Sequence, residues 1–457
     1  MTANNGLTEL TACPRCDKAP LADTGNGYRC AACKVDYPSL AGLPWLFADP
    51  EASLGEWRNR LHFSLQHLAT SSQRMQAELA DIPEGSLTRR RLERQIAATD
   101  LHRKKLRELL APVDLQSSQA SHETYLALRT RLPVDQGIST YYGNIHRDWC
   151  WGDEENRASL ACVASVLGEE PLGDTLVLGA GACRLAYDIH QELATSRTVA
   201  TDFNPLLMLV AKAVVDGGEL ELAEFPLAPR TIDDFAVTRR LSAPTPVRAG
   251  FHLVLADAMR PPFGKGVFDT VITPWIIDIV SEDLPVLAAR LNGLLKTGGR
   301  WINFGSLAFD HPERARCYSL EETLAIVELT GFAAPVAKEE TIPYMCSPAS
   351  RHGRRETVLT FAASKKSDVP VPGRHRALPD WIVTGREPVP ALPAFRSQAM
   401  STQIHAYVMS MIDGKRTIAD MAAIMEQQKL MTSAEAVPAI RGFLIRMHDD
   451  AQRARGL

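Results

Sequence analysis

Hydrophobic positions divide the chain into stretches of different period. Between residues 51 and 131 apolar side chains recur at helical spacing, Leu61, Leu65 and Leu68 and then Leu92, Ile96 and Leu106. Pro83 with Gly85, Pro112 and Pro133 interrupt that pattern and divide it into separate helices. From residue 175 short apolar runs rich in β-branched residues alternate with helical patterns. Residues 175–178, 197–200, 251–256, 268–273, 300–304 and 356–362 read as strands. The intervening helices are expected near 185–189, 205–215, 284–295 and 320–329, with a helical lead-in over 140–167. Strands alternating with helices predict an α/β, doubly wound sheet. Residues 216–248 form a polar, proline-bearing insertion between two of the strands. Helical periodicity resumes at 405–412, 417–425 and 434–447, with Thr417 placed to cap its helix.

The chemistry concentrates at the first strand of that series, TLVLGAGACR (175–184). Gly179 and Gly181 follow the apolar run at once, and a helix begins just beyond. A strand, a glycine turn and a helix N-terminus together bring backbone N–H groups close to an anionic or nucleotide-like ligand. A dinucleotide fingerprint places a third glycine where this chain has Arg184, so NAD and FAD are disfavoured. The second strand ends at Asp202, suited to a ribose diol, and the third at Asp257, suited to an adenine amino group. The glycine turn with two strand-end aspartates favours S-adenosylmethionine. Ala180, Arg184, Asn204, Ala258 and Trp275 flank these positions and join the candidate cofactor site. A plain α/β turn with solvated aspartates is the alternative.

Two C-x-x-C pairs, Cys13–Cys16 and Cys30–Cys33, precede all of this, with Gly25 and Gly27 between them. Four thiolates so spaced predict a closed, tetrahedral structural zinc site in a small ribbon, residues 1–50. The other five of the nine cysteines have no regular spacing and read as reduced thiols. A formal net charge of −4 suggests neither nucleic acid nor a membrane as partner. A basic stretch, Arg89 to Arg107, is interrupted by Glu93, Asp100 and Glu108, and reads as a solvated helix face rather than an RNA site. No apolar run has transmembrane length and the N-terminus does not read as a signal peptide, so a cytoplasmic location is expected, with a homodimer allowed. The boundaries that follow are a ribbon (1–50), a helical segment (51–134), the sheet domain (135–363), a proline-rich linker (364–396) and a small helical, winged-helix-like domain (397–457).

Several blocks resemble known families. The tail after the second cysteine pair, YPSLAGLPWLF, is similar to that of the zinc-ribbon activator subunits of methyltransferases. The segment DGKRTIADMA resembles the PqqD-like peptide chaperones of modified-peptide biosynthesis. RDWCWGDEENR (147–157), VLGAGACRLAYDI (177–189), TPWIIDIV (273–280) and LKTGGRWINFGSLAFDH (295–311) resemble the carnosine N-methyltransferase family over roughly 135–363. That resemblance implies a class I, Rossmann-like methyltransferase acting on an imidazole nitrogen of a small metabolite or peptide. It implies that Asn144 and Arg147 meet the methionine end of the cofactor and that Asp278 faces the imidazole. The family's substrate histidine falls at Asp310, with His311 one residue late. Tyr344 stands near another family tyrosine. Arg354 and Arg355 replace a tyrosine cluster, which implies a more anionic substrate. For Asp278 a helix cap or salt bridge is the alternative role. Three other functions stay open at this point: a peptide or protein methyltransferase supplied by the carboxy-terminal domain, a cofactor-binding scaffold without turnover, and an RNA methyltransferase, supported only by the basic stretch.

Overall fold

Successive residues of the central strands belong to two different cores. Leu176, Val199, Val254, Val271 and Trp301 enter one cluster; their neighbours Val177, Ala200, Leu255, Ile272 and Ile302 enter the other. A strand alternates its side chains between faces, so strands apolar at both positions must be covered on both sides. The computed structural model meets that requirement with helices on each face of a seven-stranded sheet. It describes residues 5–115, 141–280, 282–311, 313–370 and 388–454. Expectations falling on 116–140, including the break at Pro133, lie outside the described residues.

The ribbon comprises β1 (Ala22–Asp23), β2 (Gly27–Arg29), β3 (Asp36–Leu40) and β4 (Leu43–Pro44), all antiparallel. Two long helices follow, α1 (Pro50–Glu78) and α2 (Leu87–Leu109), capped by the side chains of Asp49 and Ser86. The turn between them falls at Pro83 and Gly85. The lead-in is α3 (Tyr142–His146), a π-helical turn (Arg147–Trp151) and α4 (Asp153–Ser165). The sheet domain then runs β5 (Gly173–Leu178), α5 (Arg184–Glu192), β6 (Thr195–Asp202), α6 (Pro205–Val215), the hairpin β7 (Glu219–Glu224) and β8 (Val237–Ser242), and β9 (Phe251–Leu255). It continues with β10 (Phe268–Pro274), α7 (Leu284–Leu294), β11 (Leu295–Gly305), α8 (Leu320–Leu329), β12 (Val336–Tyr344) and β13 (Arg354–Ser364).

The sheet order is β12-β13-β11-β10-β5-β6-β9. Numbered along the chain, its seven strands lie in the spatial order 3-2-1-4-5-7-6. β5, β6, β9, β10 and β11 pair in parallel, and β13 is antiparallel to both neighbours. This is the doubly wound, Rossmann-like α/β fold expected from the sequence. Its order reverses between β5 and β10, where open α/β sheets bind ligands at the carboxyl ends of their strands. Helices α4, α5 and α6 contribute to one core, α7 and α8 to the other.

The edge strand β9 is not left bare. Trp45 forms a parallel bridge with Leu255, and Leu46 N donates to Leu255 O at 2.8 Å, so the ribbon's tail extends the sheet. Trp45 and Leu46 even follow the two-core alternation of the strands proper. Ala12 N to Pro262 O (2.8 Å) and Gly264 N to Leu10 O (2.9 Å) fasten the ribbon a second time. An exposed edge offers unpaired N–H and C=O groups, and this one is covered in cis.

Three elements depart from the sequence expectation. The insertion is ordered as the β7–β8 hairpin, whose Asp233 receives Arg90 and Arg94 of α2 at 3.4 and 2.8 Å, while Arg91 lies over Phe235. Arg90, Arg91 and Arg94 of the basic stretch thus contact the insertion. β12 has no counterpart among the expected strands, because residues 336–341 are exposed on both faces and carry no alternating apolar pattern. The boundary at 363 falls too early: Lys365 is buried and donates to Asn292 O and Leu295 O, both at 2.8 Å.

The chain divides into two compact units, 1–377 and 378–457. In the second, α9 (Pro393–Ser410), α10 (Ile418–Gln427) and α11 (Ser433–Ala454) pack around Val408, Met411, Met421, Met425 and Ile440. Thr417 caps α10 in a reciprocal capping box with Asp420. Among the described residues this unit contains no strand, so the wing of the expected winged-helix arrangement is not found there.

Candidate active site

The crevice opens where β5 ends. Gly179 and Gly181 both adopt left-handed backbone, with φ of 69° and 59°. A Cβ on Gly179 would lie 2.7 Å from Ile276 Cδ1, so the turn abuts the segment that follows β10. A Cβ on Gly181 would meet nothing within 4 Å, so this side of the turn is open. Ala180 N donates to Thr201 O at 2.9 Å, and Gly181 N to Asp202 Oδ2 at 2.9 Å. Asp202 Oδ1 accepts from Asn204 N at 2.8 Å, and Asn204 Oδ1 accepts from Leu206 N, capping α6. Burial pushes the Asp202 carboxyl up to about 6, against the pull of its amide donors. A carboxylate with one amide on each oxygen still has lone pairs to offer. Asp257 and Ala258 follow β9, both half-buried, with Asp257 Oδ1 accepting from Met259 N at 2.8 Å.

The lead-in brings charge to this region. Its π-helical turn begins at Arg147, and such turns often mark functional sites. Arg147 Nε and Nη2 reach Asp148 Oδ1 at 2.8 and 2.7 Å, and Nη1 reaches Glu155 Oε1 at 3.3 Å. Burial works against its charge, but the two carboxylates outweigh it and hold the guanidinium firmly protonated. Asn144 lies half-buried on α3. Arg184 fastens α5 to the lead-in: Nε donates to both Asp188 oxygens at 2.8 and 2.9 Å, Nη1 to Asp148 O at 2.8 Å, and its guanidinium lies over Trp149.

On the other side of the switch point, Trp275 follows β10 with a φ of 52°, and its N donates to Phe304 O at 2.7 Å. Its ring centroid lies 4.9 Å from that of Tyr344, whose other neighbour is the Arg354 guanidinium, 4.6 Å from the ring. Asp278 is 9% exposed. Its Oδ2 accepts from Ser306 Oγ at 2.7 Å and Ala308 N at 2.8 Å. Its Oδ1 is buried without a hydrogen-bond partner among the described residues. A buried acceptor left in that state costs about 1–3 kcal/mol, more for a charged group.

The structure thus gathers Gly179, Ala180, Gly181, Asp202 and Asn204 around one turn; beyond β10, Trp275 packs on Tyr344, and Asp278 is held by Ser306 and Ala308. The three remaining catalytic candidates are not drawn in with them. Asp310 is exposed, His311 Nδ1 accepts from Glu313 N at 3.0 Å, and exposed Arg355 donates to Thr341 O at 3.0 Å. Ser306, Asp148 and Glu155 are not among the residues that the sequence singles out. Ser306 had a signal, a small hydroxyl residue just past the carboxyl end of an apolar strand; the acids had none.

At the ribbon, the sulfur atoms of Cys13, Cys16, Cys30 and Cys33 all lie within 4.8 Å of one another. Cys13 and Cys33 are 3.9 Å apart, Cys16 and Cys30 3.5 Å. Four sulfurs at about 2.3 Å from one ion form a tetrahedron with edges of about 3.8 Å, so this cluster suits zinc. The Tyr37 hydroxyl lies 3.1 Å from Cys13 Sγ and Cys33 N donates to Cys30 Sγ at 3.4 Å, contacts that would orient thiolate ligands.

No protein-family model matches the chain, and no curated protein does. Among solved structures, it is similar to phosphoethanolamine N-methyltransferase 2 of Haemonchus contortus with S-adenosylhomocysteine, at 15% identity and a TM-score of 0.33 over 52% of this chain and 59% of that one. The chain therefore spans about three-fifths of that enzyme. It is also similar to a structure of the Haloferax volcanii Trm112 methyltransferase activator with a methyltransferase, at 13% identity and a TM-score of 0.34 over 50% and 97% of the two chains. A third is the N-methyltransferase NodS of Bradyrhizobium japonicum, at 11% identity and a TM-score of 0.30 over 47% and 97%. Likeness at this level carries nothing about activity; the fold assignment rests on the strand order itself. No helix among the described residues is long and apolar enough to cross a membrane.

Proposed function

We propose that the protein is an S-adenosylmethionine-dependent N-methyltransferase whose acceptor is an imidazole-type nitrogen of a small histidine-containing metabolite or peptide. The observation that carries the acceptor reading is Asp278, one oxygen anchored and the other buried without a hydrogen-bond partner among the described residues. Such an oxygen calls for an incoming N–H donor. The cofactor reading is supported by the 3-2-1-4-5-7-6 order, the turn open at Gly181 and the desolvated Asp202 carboxylate, which ribose hydroxyls would satisfy.

In this reading Gly179 to Gly181 and Asp202 hold the cofactor, Asp257 meets its adenine and Arg147 its carboxylate. S-adenosylmethionine, when bound, supplies an already activated methyl group. The protein's task is alignment. Asp278 Oδ1 accepts the acceptor's N–H and thereby fixes the tautomer that leaves the other ring nitrogen with its lone pair exposed. The same carboxylate stabilises the positive charge that develops on the ring as the new N–C bond forms. Ser306 and the Ala308 amide keep the carboxylate in place, so that no reorganisation is needed at the moment of reaction. Zinc at the four cysteines has a structural role, and a reducing, cytoplasmic setting goes with thiolates that must stay unoxidised.

The test is incubation with methyl-deuterated S-adenosylmethionine and carnosine, histidine, histidine-containing peptides or a small-molecule cell extract, read by mass spectrometry. Label on an imidazole nitrogen is expected. Cofactor binding without label on any acceptor would favour a regulatory scaffold. A second reading, peptide or protein methylation, is favoured by the separately packed carboxy-terminal unit, which leaves Met400, Met409, Ile412 and Leu430 exposed. Deleting residues 397–457 would then raise KM for peptides and leave small acceptors unaffected.

A further inference from the structure

Glu155 is 5% exposed and serves two segments at once. Its Oε1 holds Arg147 Nη1 at 3.3 Å, and its Oε2 accepts from Met345 N at 2.7 Å. Met345 begins the loop that joins β12 to β13 and has a left-handed φ of 53°, unusual for an unbranched apolar residue. Its side chain packs on α3 so closely that a Cβ at Gly143 would lie 2.8 Å from Met345 Cε. The residue before it, Tyr344, packs on Trp275 and carries Arg354 on its outer side. Farther along, Arg351 N donates to Ala228 O at 2.7 Å and Arg230 N to Ala349 O at 3.2 Å, tying the loop to the β7–β8 insertion. One carboxylate therefore joins the arginine assigned to the cofactor to the loop that follows Tyr344.

We propose that Glu155 is a positioning residue that couples occupation of the cofactor crevice to the placement of the 345–353 loop next to Tyr344, so that cofactor binding completes the acceptor site. The proposal rests on the reading of the crevice as an S-adenosylmethionine site. Of Arg147's ion-pair contacts the one to Glu155 is the longest, and is the one an incoming carboxylate displaces most readily. Glu155, released from Arg147, is left with the Met345 amide as its side-chain contact among the described residues, and that contact draws the loop onto α3. The linkage is reciprocal: an acceptor that holds the loop down strengthens cofactor binding by the same factor.

The test uses S-adenosylhomocysteine as the probe, with calorimetry for binding and amide hydrogen exchange for the loop. In the wild-type protein the product analogue should slow exchange at Met345 and its loop about tenfold. Glu155→Gln keeps an acceptor for Met345 N but removes a competitor from Arg147. It should bind S-adenosylhomocysteine at least as tightly as wild type, yet lose the ligand-dependent protection. Glu155→Ala should expose the loop with or without ligand. A purely structural role predicts instead that Glu155→Gln weakens binding and leaves the loop's response intact, which would overturn the proposal. Binding to wild type without any change at the loop would overturn it too, with the cofactor reading left standing. No binding at all would remove that reading and the proposal with it.

Discussion

Replacing His146 by phenylalanine should change the pH dependence of stability more than stability itself. His146 on α3 and His102 on α2 are almost fully buried and meet on the ring of Tyr142, at centroid distances of 5.1 and 5.0 Å. The Tyr142 hydroxyl donates to Ala223 O at 2.8 Å, so the three rings join α2, the lead-in and β7. Burial pushes both imidazoles from 6.5 down to about 4, with Arg239 adding to the effect at His146 and His146 at His102. Their folded pKa values lie below the unfolded ones. Their contribution is thus fully present above pH 6.5 and is lost as pH falls towards 4, because the unfolded chain binds the protons first. At pH 5 each imidazole costs about 2 kcal/mol relative to pH 7. Asp188 and Asp202, raised to about 6 chiefly by burial, work in the opposite direction and return about 1.3 kcal/mol each over the same interval. The wild-type loss between pH 7 and 5 is therefore modest, and the difference between proteins is the informative quantity. Urea unfolding followed by tryptophan fluorescence reports chiefly the first compact unit, to which six of the seven tryptophans belong. The His146→Phe protein should lose about 2 kcal/mol less than wild type on going from pH 7 to 5. Parallel curves for the two proteins would refute the reasoning.

Further outcomes follow from the site. Asp278→Asn keeps the shape but loses the charge that balances the methylated ring, so kcat should fall about 10²–10³-fold while S-adenosylhomocysteine binding by calorimetry changes little. Asp202→Ala should weaken cofactor binding by about tenfold or more, since a buried charge-assisted contact contributes on the order of 1.5–3 kcal/mol. Removing zinc with a chelator should unfold the ribbon and lower the melting temperature of the first unit by several degrees, with readdition restoring it. Trp301→Ala should cost about 3–5 kcal/mol, because the side chain is fully buried and its Nε1 donates to Thr273 Oγ1 at 2.8 Å; urea unfolding would measure it.

The sheet was legible where its strands are buried on both faces, since continuous apolar runs with glycine punctuation fit little besides a strand covered on both sides. β12 was not, because as an edge strand it needs no apolar outer face, and Val336 to Glu340 look like loop. The hairpin β7–β8 escaped for a similar reason: its polar alternation is anchored by pairs such as Arg239 with Glu224 (2.6 Å), which no local pattern announces. At the site, the placement of Gly179, Gly181 and Asp202 was readable because a glycine turn and a strand end are chain-local features. Asp278 stood out only through family likeness, and its meaning lies in partners some 30 residues away, Ser306 and Ala308. Glu155 could not be read at all: its second partner is the backbone of Met345, and backbone amides carry no identity in a sequence.

The ribbon's place on β9 has a stoichiometric consequence. A cap supplied as a separate chain would have to be made in matching amounts and would leave the edge bare at low concentration. Here docking is intramolecular, at an effective concentration on the order of millimolar, so it does not weaken on dilution. Every copy of the sheet is synthesised with its own cover, translated first. With zinc at the four cysteines, as proposed, supply of the metal, rather than supply of a second subunit, becomes the variable that sets how many copies of the sheet keep this edge covered.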